Sequence, residues 1–326
     1  MFVFLNTDRN SPSIDKITFE LEKLGVESFT LDDFLFKKTN FHFDGADFII
    51  NGNINFKDCI SVFTRNLSLD FKEKLENSLN SRNENQFNFQ QNFDVLKGFL
   101  SSAAAFYNIP IINQNSNLNI SDNKLYHKFA ADNAGMLMPP FIVSNDKNKI
   151  LEFAKKYKKL IIKPILNKAF VSQKDGDLIS SIGVESELFY EKEIIENQAS
   201  LDKIPLIYQQ YIEKGYEIRV TLIGSHIIAC KIDNQKSGNE ISSIDWKRDL
   251  MNIDHFLYQL PLEIEQKLLK IMKYLKLTFG TIDLIKSPGG RYYFLEANSN
   301  GQWGWVEDKI GVNISEKIAI FLAKSF

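Results

Sequence analysis

Three oxygen-bearing side chains near the carboxyl end of the sequence have the types and spacing of a metal-ion site. Two β-rich runs flank Gly289-Gly290, a pair that favours a two-residue hairpin turn because both central residues need positive φ. Such a turn places Asp283 opposite Glu296, with Asn298 two residues further along the same face. Opposed carboxylates repel, and Mg²⁺, which takes carboxylate, amide and phosphate oxygens, removes that repulsion. The alternative is a solvated hairpin with a polar face.

Two lysines upstream of the hairpin are candidates for contact with an anionic ligand. Lys163 ends an apolar run just before Pro164, where its ammonium group can meet a nucleotide phosphate as a point charge. Lys124 lies in the first turn of a helix that Ser121 can cap, and the dipole at that end favours anions over cations. An anion bound at this helix end would explain why a lysine is found there. An ordinary strand end and an ordinary helix end are the alternatives.

A strand end and the strand after it supply further polar groups. The first strand stops before Glu213–Gly215, and the exposed backbone at such a break can recognise an adenine edge, although an ordinary strand end is an equal alternative. The residues of this hinge are Gln209, Gln210, Tyr211 and Ile212. Alternation along the next strand places Glu217 and Arg219 on one face, either as a salt bridge or with Arg219 holding a phosphate.

Hydrophobic periodicity divides the chain into an α/β start and an antiparallel end. A short buried strand, an amphipathic helix at 13–24 and a second strand predict an α/β unit, whereas long strands dominate the last third. We predict an α/β domain over 1–115, a central part over 116–200 and a carboxyl-terminal antiparallel sheet over 201–326 that carries the hairpin.

Composition excludes several other classes of protein. The 326 residues include 39 Lys or Arg and 41 Asp or Glu, and a net charge of −2 gives no general attraction to nucleic acid or anionic membranes. No apolar run is long enough for a transmembrane helix. Cys59 and Cys230 lie in no disulfide or zinc pattern, which favours a reducing cytoplasm. We expect a cytoplasmic protein without a nucleic-acid or membrane partner.

In chain order, these residues resemble the ATP-grasp superfamily. The resemblance rests on Lys124, Lys163-Pro164, the hinge Gln209–Ile212, Glu217-Ile-Arg219, Asp283 and Glu296-Ala-Asn298. The run FLEANSNGQWGW at 294–305 is more specific and looks like the peptide-modifying graspetide (microviridin-type) branch, as does Asp245-Trp246. The resemblance covers nearly the whole chain, and its motifs are most specific between 206 and 311.

The resemblance implies an ATP-grasp fold, of mixed α/β and α+β class, that holds ATP and Mg²⁺ behind an amino-terminal pre-ATP-grasp domain. It also implies that the γ-phosphoryl group of ATP activates an Asp or Glu side chain of a precursor peptide as an acyl phosphate. A hydroxyl or amine of the same peptide then attacks to form a macrolactone or macrolactam. The peptide would have a leader and a core with acidic and hydroxyl groups, and a homodimer is expected.

The resemblance also implies roles for individual residues. The implied metal ligands are Asp283, Glu296 and Asn298. The implied cofactor-binding residues are Lys124 and Lys163 for the phosphates, together with Gln209, Gln210, Tyr211, Ile212 and Glu217. Arg219 and Arg248 would stabilise the γ-phosphate and the acyl phosphate.

Three departures from the family pattern affect these roles. Relatives have Arg after Asp-Trp, whereas this chain has Lys247 followed by Arg248, and either can take the role. The loop after Lys163 lacks the glycines with which many relatives cover phosphates, so Lys168 is a candidate substitute as a point charge. Val62–Arg65 differs from the aromatic-Arg-Arg run of relatives, and we assign Arg65 no role.

Two other functions are compatible with the sequence. A small-molecule ligase, such as a glutamate-adding enzyme, would use the same ATP site with a different acceptor pocket. A nucleotide-binding protein without turnover would keep the fold, but loss of activity would be expected to remove a metal ligand. Asp283, Glu296 and Asn298 are all present, which argues against the second alternative.

Overall fold

The computed structural model describes most of the chain. The described residues are 1–6, 11–31, 39–65, 84–113, 121, 123–165, 170–174, 177–181, 187–196, 204–233 and 253–324. None of the helices in these stretches is long and apolar enough to cross a lipid bilayer.

The amino-terminal part is a parallel sheet with flanking helices, as the strand–helix–strand pattern predicts. Its elements are β1 (Phe2–Asn6), α1 (Pro12–Lys23), β2 (Glu27–Leu31), β3 (Phe41–Phe43), β4 (Phe48–Ile50), β5 (Ile54–Asn55), β6 (Cys59–Thr64), α2 (Glu84–Tyr107) and β7 (Ile111–Ile112). The parallel strands lie in the order β2-β1-β6-β7, and β3, β4 and β5 form a small antiparallel sheet. Val3 and Phe4 point to opposite faces and are both fully buried, which explains why β1 is a continuous apolar run.

The central part is a four-stranded antiparallel sheet with a helical layer. Its elements are α3 (Lys124–Ala134), β8 (Phe141–Ser144), α4 (Lys147–Tyr157), β9 (Lys159–Lys163), β10 (Phe170–Lys174), β11 (Asp177–Ser181), β12 (Glu187–Tyr190), α5 (Glu191–Glu196) and β13 (Leu206–Gln210). The strand order is β12-β9-β13-β8, and β10 and β11 form a separate hairpin. Asp146 caps α4, and Ile150 and Ala154 of that helix pack into a cluster with Leu160 and Tyr208 of the sheet.

The carboxyl-terminal part is a long antiparallel sheet. Its elements are β14 (Tyr216–Ile223), β15 (His226–Asp233), β16 (Asp254–Tyr258), α6 (Leu262–Tyr274), β17 (Phe279–Lys286), β18 (Tyr292–Asn298), α7 (Gly304–Ile310) and α8 (Ile314–Ala323). The strand order is β16-β15-β14-β17-β18. Because side chains alternate along a strand, Val220 and Ile282 pack against α3 and α6 on one face, while the next residues point to the other face.

That other face shares one core with the amino-terminal part. Ile232 and Phe279 of the antiparallel sheet lie in the same buried cluster as Val3 and Phe63 of the parallel sheet. Trp303 is fully buried in this cluster, and its indole N–H donates to the Ser315 hydroxyl. The predicted fold class is confirmed. The boundaries at 115 and 200 remain predictions.

Candidate active site

The hairpin of β17 and β18 brings together the three predicted metal ligands. Asp283 is paired directly with Glu296, as predicted. Asn298 is paired with Thr281 on the same face, and its amide N–H donates to Glu296 Oε1 at 3.3 Å. The predicted grouping of two carboxylates and one amide is therefore present.

The turn that joins these strands is not the predicted one. Ser287 N–H bonds Arg291 O, which leaves a three-residue loop, Pro288–Gly290, and only Gly290 of the glycine pair has positive φ, at 80°. This turn shifts the register of the nearest pairs by one residue. A bulge at Leu295, the extra residue where the pairing steps from Phe294 to Glu296, shifts it back. The predicted turn was wrong, and the bulge is the reason that Asp283 still faces Glu296.

The donor set suits Mg²⁺. Asp283 is 5% exposed and the Glu296 side chain 14%, so neither carboxylate lies on an open surface. Magnesium is held by one or two carboxylates with phosphate and water oxygens, and an amide oxygen adds a neutral ligand of the same hard type. Within the described residues, no group of three or more His, Cys, Asp or Glu side chains offers an all-charged metal site.

Arg219 faces this donor set from the neighbouring strand. It lies opposite Asp283 on β14, and its Nη1 is 2.7 Å from Oδ1 and 2.9 Å from Oδ2 of that carboxylate. Glu217 lies on the same face but contacts Lys214, whose Nζ is 2.9 Å from Glu217 Oε1. The guanidinium of Arg219 thus pairs with Asp283, and both predicted roles of Arg219, the salt bridge with Glu217 and the phosphate contact, stay predictions. Arg219 is 5% exposed and provides a positive charge in direct contact with a metal ligand.

The amino end of α3 brings Lys124 to the same carboxylates. Lys124 is 2% exposed, and its Nζ lies 3.9 Å from Glu296 Oε2. The helix cap lies two residues later than predicted: it is Asn123, whose side chain accepts from the N–H of Leu125. Ser121 instead contacts the helix through its carbonyl oxygen, which bonds Nε2 of His127. A buried cation at an end that prefers anions fits a site with charge to neutralise.

His127 shows that the second predicted lysine lies in the same neighbourhood. Burial lowers the pKa of His127 to about 4. The nearby Glu296 opposes this shift, and the charges of Lys124 and Lys163 add to it. Lys163, the last residue of β9, is 6% exposed. Lys124, Lys163 and Glu296 thus lie near one another, with Asp283 paired to Glu296, and these charges fit a phosphate and metal site.

The hinge between β13 and β14 lies beside a cavity. Gln209 is buried in β13, while the N–H groups of Gln210 and Tyr211 bond Pro140 O and Lys159 O. A cavity of about 600 Å³ opens here. Its lining residues are Leu137, Met138, Pro140, Gln210, Tyr211, Ile212, Glu213, Ser287, Pro288, Gly289, Arg291 and Tyr293. Neither Lys124 nor Lys163, the lysines predicted to bind phosphate, lines this cavity.

Some predicted residues lie outside the described part of the chain. These are Lys168, Asp245, Trp246, Lys247 and Arg248. Sequence reasoning also missed two residues of the amino-terminal part that reach the hairpin, Arg65 and Asn113. Arg65 directly follows β6, and Asn113 directly follows β7. The carboxyl ends of neighbouring parallel strands meet at one edge of the sheet. A polar residue at that position is the signal that could have identified them.

The carboxyl-terminal two thirds of the chain identify its family. Residues 121–322 match the family model of the RimK-like ATP-grasp domain. The match covers more than half of the chain, which therefore belongs to the RimK-like ATP-grasp family. The predicted superfamily is confirmed. No functionally curated protein matches the sequence significantly.

Solved structures share the fold over the full chain. A RiPP-associated ATP-grasp ligase from Chryseobacterium gregarium, solved with ADP and a leader and core peptide, is 24% identical, with a TM-score of 0.83 over 99% of this chain and 96% of that one. The macrocyclase MdnC from Microcystis aeruginosa MRC, bound to its precursor peptide MdnA, is 23% identical, with a TM-score of 0.83 over 100% of both chains. The macrocyclase MdnB from the same organism is 23% identical, with a TM-score of 0.72 over 99% of both. At these identities the likeness shows the fold.

Proposed function

We propose that this protein is an ATP-dependent ligase that crosslinks a ribosomally made precursor peptide. An Asp or Glu carboxylate of the peptide attacks the γ-phosphorus of ATP, which gives an acyl phosphate and ADP. A hydroxyl or amine of the same peptide then attacks the acyl carbon, and phosphate leaves. The observation that carries the proposal is the opposed pair Asp283 and Glu296, with Lys124 3.9 Å from Glu296 and Arg219 on Asp283.

The metal and nucleotide roles follow from the chemistry of the side chains. Asp283, Glu296 and Asn298 would hold Mg²⁺, which when bound neutralises charge on the ATP phosphates and so favours phosphoryl transfer. Lys124 and Lys163 would bind phosphate oxygens as point charges. Gln209, Gln210, Tyr211, Ile212 and Glu217 would bind the remainder of the nucleotide.

Arg219 is proposed as the cation that stabilises the transferred phosphoryl group. A guanidinium matches two phosphate oxygens as well as it matches two carboxylate oxygens. Its present contact with both Asp283 oxygens would keep it oriented at the metal site before the nucleotide arrives. Arg248 is proposed as a second cation for the acyl phosphate. Losing one such donor typically costs on the order of 3 kcal/mol of transition-state stabilisation.

The partner is inferred from proteins of the same fold. The Chryseobacterium ligase was solved with a leader and a core peptide, and PsnB, 15% identical to this chain, with a minimal precursor, Mg and ADP. By that likeness, we propose a peptide with a leader and an acidic, hydroxyl-bearing core. A cytoplasmic homodimer remains a prediction, which sedimentation of the purified protein would test.

The test is intact-mass measurement of short peptides encoded beside the gene, each co-expressed with the protein. Loss of one water per new bond, with no thiol involved, is the expected result. The Glu296→Gln variant is the control, and it should leave the peptide unmodified. A mass gain equal to an added amino acid would favour a glutamate-adding ligase. No change in any neighbouring peptide would contradict the peptide-crosslinking proposal and direct the search to small-molecule acceptors.

A further inference from the structure

One buried asparagine side chain from the amino-terminal part joins β17 and β18, the two strands that carry the proposed metal ligands. Asn113 follows β7 and is 2% exposed. Its Nδ2 donates to Phe279 O at 2.7 Å and to Ser299 O at 2.8 Å. Its Oδ1 accepts from the N–H of Thr278 at 3.2 Å and of Phe279 at 3.1 Å. An asparagine side chain offers two donors and two acceptor lone pairs, and all four are used here.

One of the bonded groups lies next to a proposed ligand. Ser299 directly follows Asn298 at the end of β18, and Phe279 is the first residue of β17, four positions before Asp283. Since β18 is the last strand of its sheet, its carboxyl end leaves the sheet with β17 on one side only. Asn113 bonds the main chain of both strands at this point. It therefore fixes the end of β18 that carries Asn298 against the start of β17, the strand that carries Asp283.

A second residue of the amino-terminal part holds the same segment. Arg65 is 2% exposed, and its Nη2 donates to Asn300 O at 2.8 Å. Its guanidinium lies over the Trp303 ring, 4.3 Å from the ring centroid. Two successive residues after Asn298, Ser299 and Asn300, are thus bonded to two different strand ends of the parallel sheet.

We propose that Asn113 is a positioning residue for Mg²⁺ binding, an inference that rests on the proposed metal role of Asp283 and Asn298. Magnesium requires near-ideal octahedral geometry with short bonds, so a small displacement of one ligand lowers affinity steeply. Asn113 contacts neither the metal nor the nucleotide and acts through the backbone beside Asn298. Supporting groups of this kind typically change metal affinity 10- to 100-fold, and through a backbone contact we expect about 10-fold.

The backbone at Asn113 allows a clean substitution. Its φ is 58°, in the left-handed region that glycine adopts without strain, so Asn113→Gly removes the side chain alone. Asn113→Asp keeps the shape and the two bonds accepted from Thr278 and Phe279, but it loses both donors and with them the bonds to Phe279 O and Ser299 O. Asn108 is the matched control, because it also has positive φ, 55°, and is exposed after α2 in the same part of the chain.

The experiment is calorimetric titration of ADP into the purified full chain at a series of Mg²⁺ concentrations, with thermal unfolding measured in parallel. Asn113→Gly and Asn113→Asp should raise the Mg²⁺ concentration needed for half-maximal ADP affinity about 10-fold, and excess Mg²⁺ should restore that affinity. Asn108→Gly should match the wild type.

Two other outcomes separate the inference from its premise. Lower thermal stability with an unchanged Mg²⁺ requirement would overturn the inference, because Asn113 would then only join the two parts of the chain. Should Asn113→Gly fail to fold, the isosteric Asn113→Asp variant decides by the same measurement. A wild-type protein whose ADP binding ignores Mg²⁺ would contradict the proposed function itself.

Discussion

Asp283 combines two roles that a single carboxylate must reconcile. It is a proposed Mg²⁺ ligand, and both of its oxygens already accept bonds from Nη1 of Arg219. Both side chains are less than a tenth exposed, so each compensates for the buried charge of the other. Glu296 accepts from the amide of Asn298 at 3.3 Å, and its contact with Lys124 is longer, 3.9 Å. The two carboxylates should therefore respond differently when their charge is removed.

We predict that Asp283→Asn and Glu296→Gln both abolish Mg²⁺-dependent turnover but differ in stability. Removing one partner of a buried ion pair costs about 3–5 kcal/mol, so Asp283→Asn should also lower the free energy of unfolding. Glu296→Gln keeps a carbonyl oxygen for the Asn298 N–H and loses a charge 3.9 Å from Lys124, so its cost should be smaller than that of Asp283→Asn. Denaturant unfolding and peptide modification measure the two effects. Wild-type turnover in either variant would refute the metal site.

His127 makes the free energy of unfolding depend on pH. Burial lowers its pKa to about 4, whereas an unfolded histidine titrates near 6.5. Between these values the unfolded chain binds more protons, so the free energy of unfolding falls as the pH falls. We predict that His127 alone contributes a loss of about 2 kcal/mol between pH 6.5 and pH 5. Denaturant unfolding should show a shallower pH slope for His127→Gln than for the wild type.

The control for this prediction is His226, which is exposed at the start of β15. His226→Gln should keep the wild-type slope. Equal slopes for His127→Gln and the wild type would show that His127 is not responsible.

At the scale of elements, the hairpin of β17 and β18 shows what the sequence could and could not predict. Alternation along β18 was sufficient to place Glu296 and Asn298 on one face, whereas Asp283 joins them because the bulge offsets the register shift of the turn. The turn was wrong because Gly289-Gly290 fits two hairpin geometries, and only the packing of the strands selects the three-residue loop. A compensating bulge at Leu295 has no local signal, since the residue is an ordinary strand former.

Gly301 is the point where the segment after β18 comes closest to β17. A Cβ built there would lie 1.7 Å from Thr281 Oγ1 and 2.6 Å from Thr281 Cβ, so the backbone itself must move. We predict that Gly301→Ala displaces Asn298 and lowers Mg²⁺-dependent turnover at least 10-fold, a loss like that of a supporting group at a metal site.

Gly98→Ala is the matched control for Gly301→Ala. Gly98 is exposed on α2, away from the hairpin, and a Cβ there would have no neighbour within 4 Å. Its turnover, measured under the same conditions, should stay close to that of the wild type. Equal activity of both variants would show that the close approach at Gly301 does not hold the ligands.

At the scale of the whole molecule, the contacts that the sequence did not predict are those between distant parts. Asn113 bonds Ser299 across 186 positions, and Arg65 bonds Asn300 across 235. No periodicity or local motif links residues so far apart, because such pairing is decided by how the two sheets dock. Sequence reasoning therefore identified the groups that would touch the nucleotide and metal, and missed those that hold them from the amino-terminal part.

The shared core leads to a final prediction about dividing the chain. A fragment of residues 116–326 keeps every proposed ligand, yet it loses Val3, Ile17 and Phe63, which pack against Phe279 and the helices after β18. The exposed apolar surface would face water instead, a loss of the main term that stabilises folding. We predict that the fragment alone aggregates or lacks cooperative unfolding, as measured by sedimentation and near-ultraviolet circular dichroism.

Supplying residues 1–115 as a separate chain tests the cause of that failure. Co-expression should restore a soluble complex, because the apolar surfaces are complementary and need no covalent link. The full chain should likewise unfold in one calorimetric transition, since neither part keeps a complete core without the other. A monomeric 116–326 fragment with its own sharp transition would contradict the shared core. It would also show that Asn113 and Arg65 dock onto a sheet that is already stable.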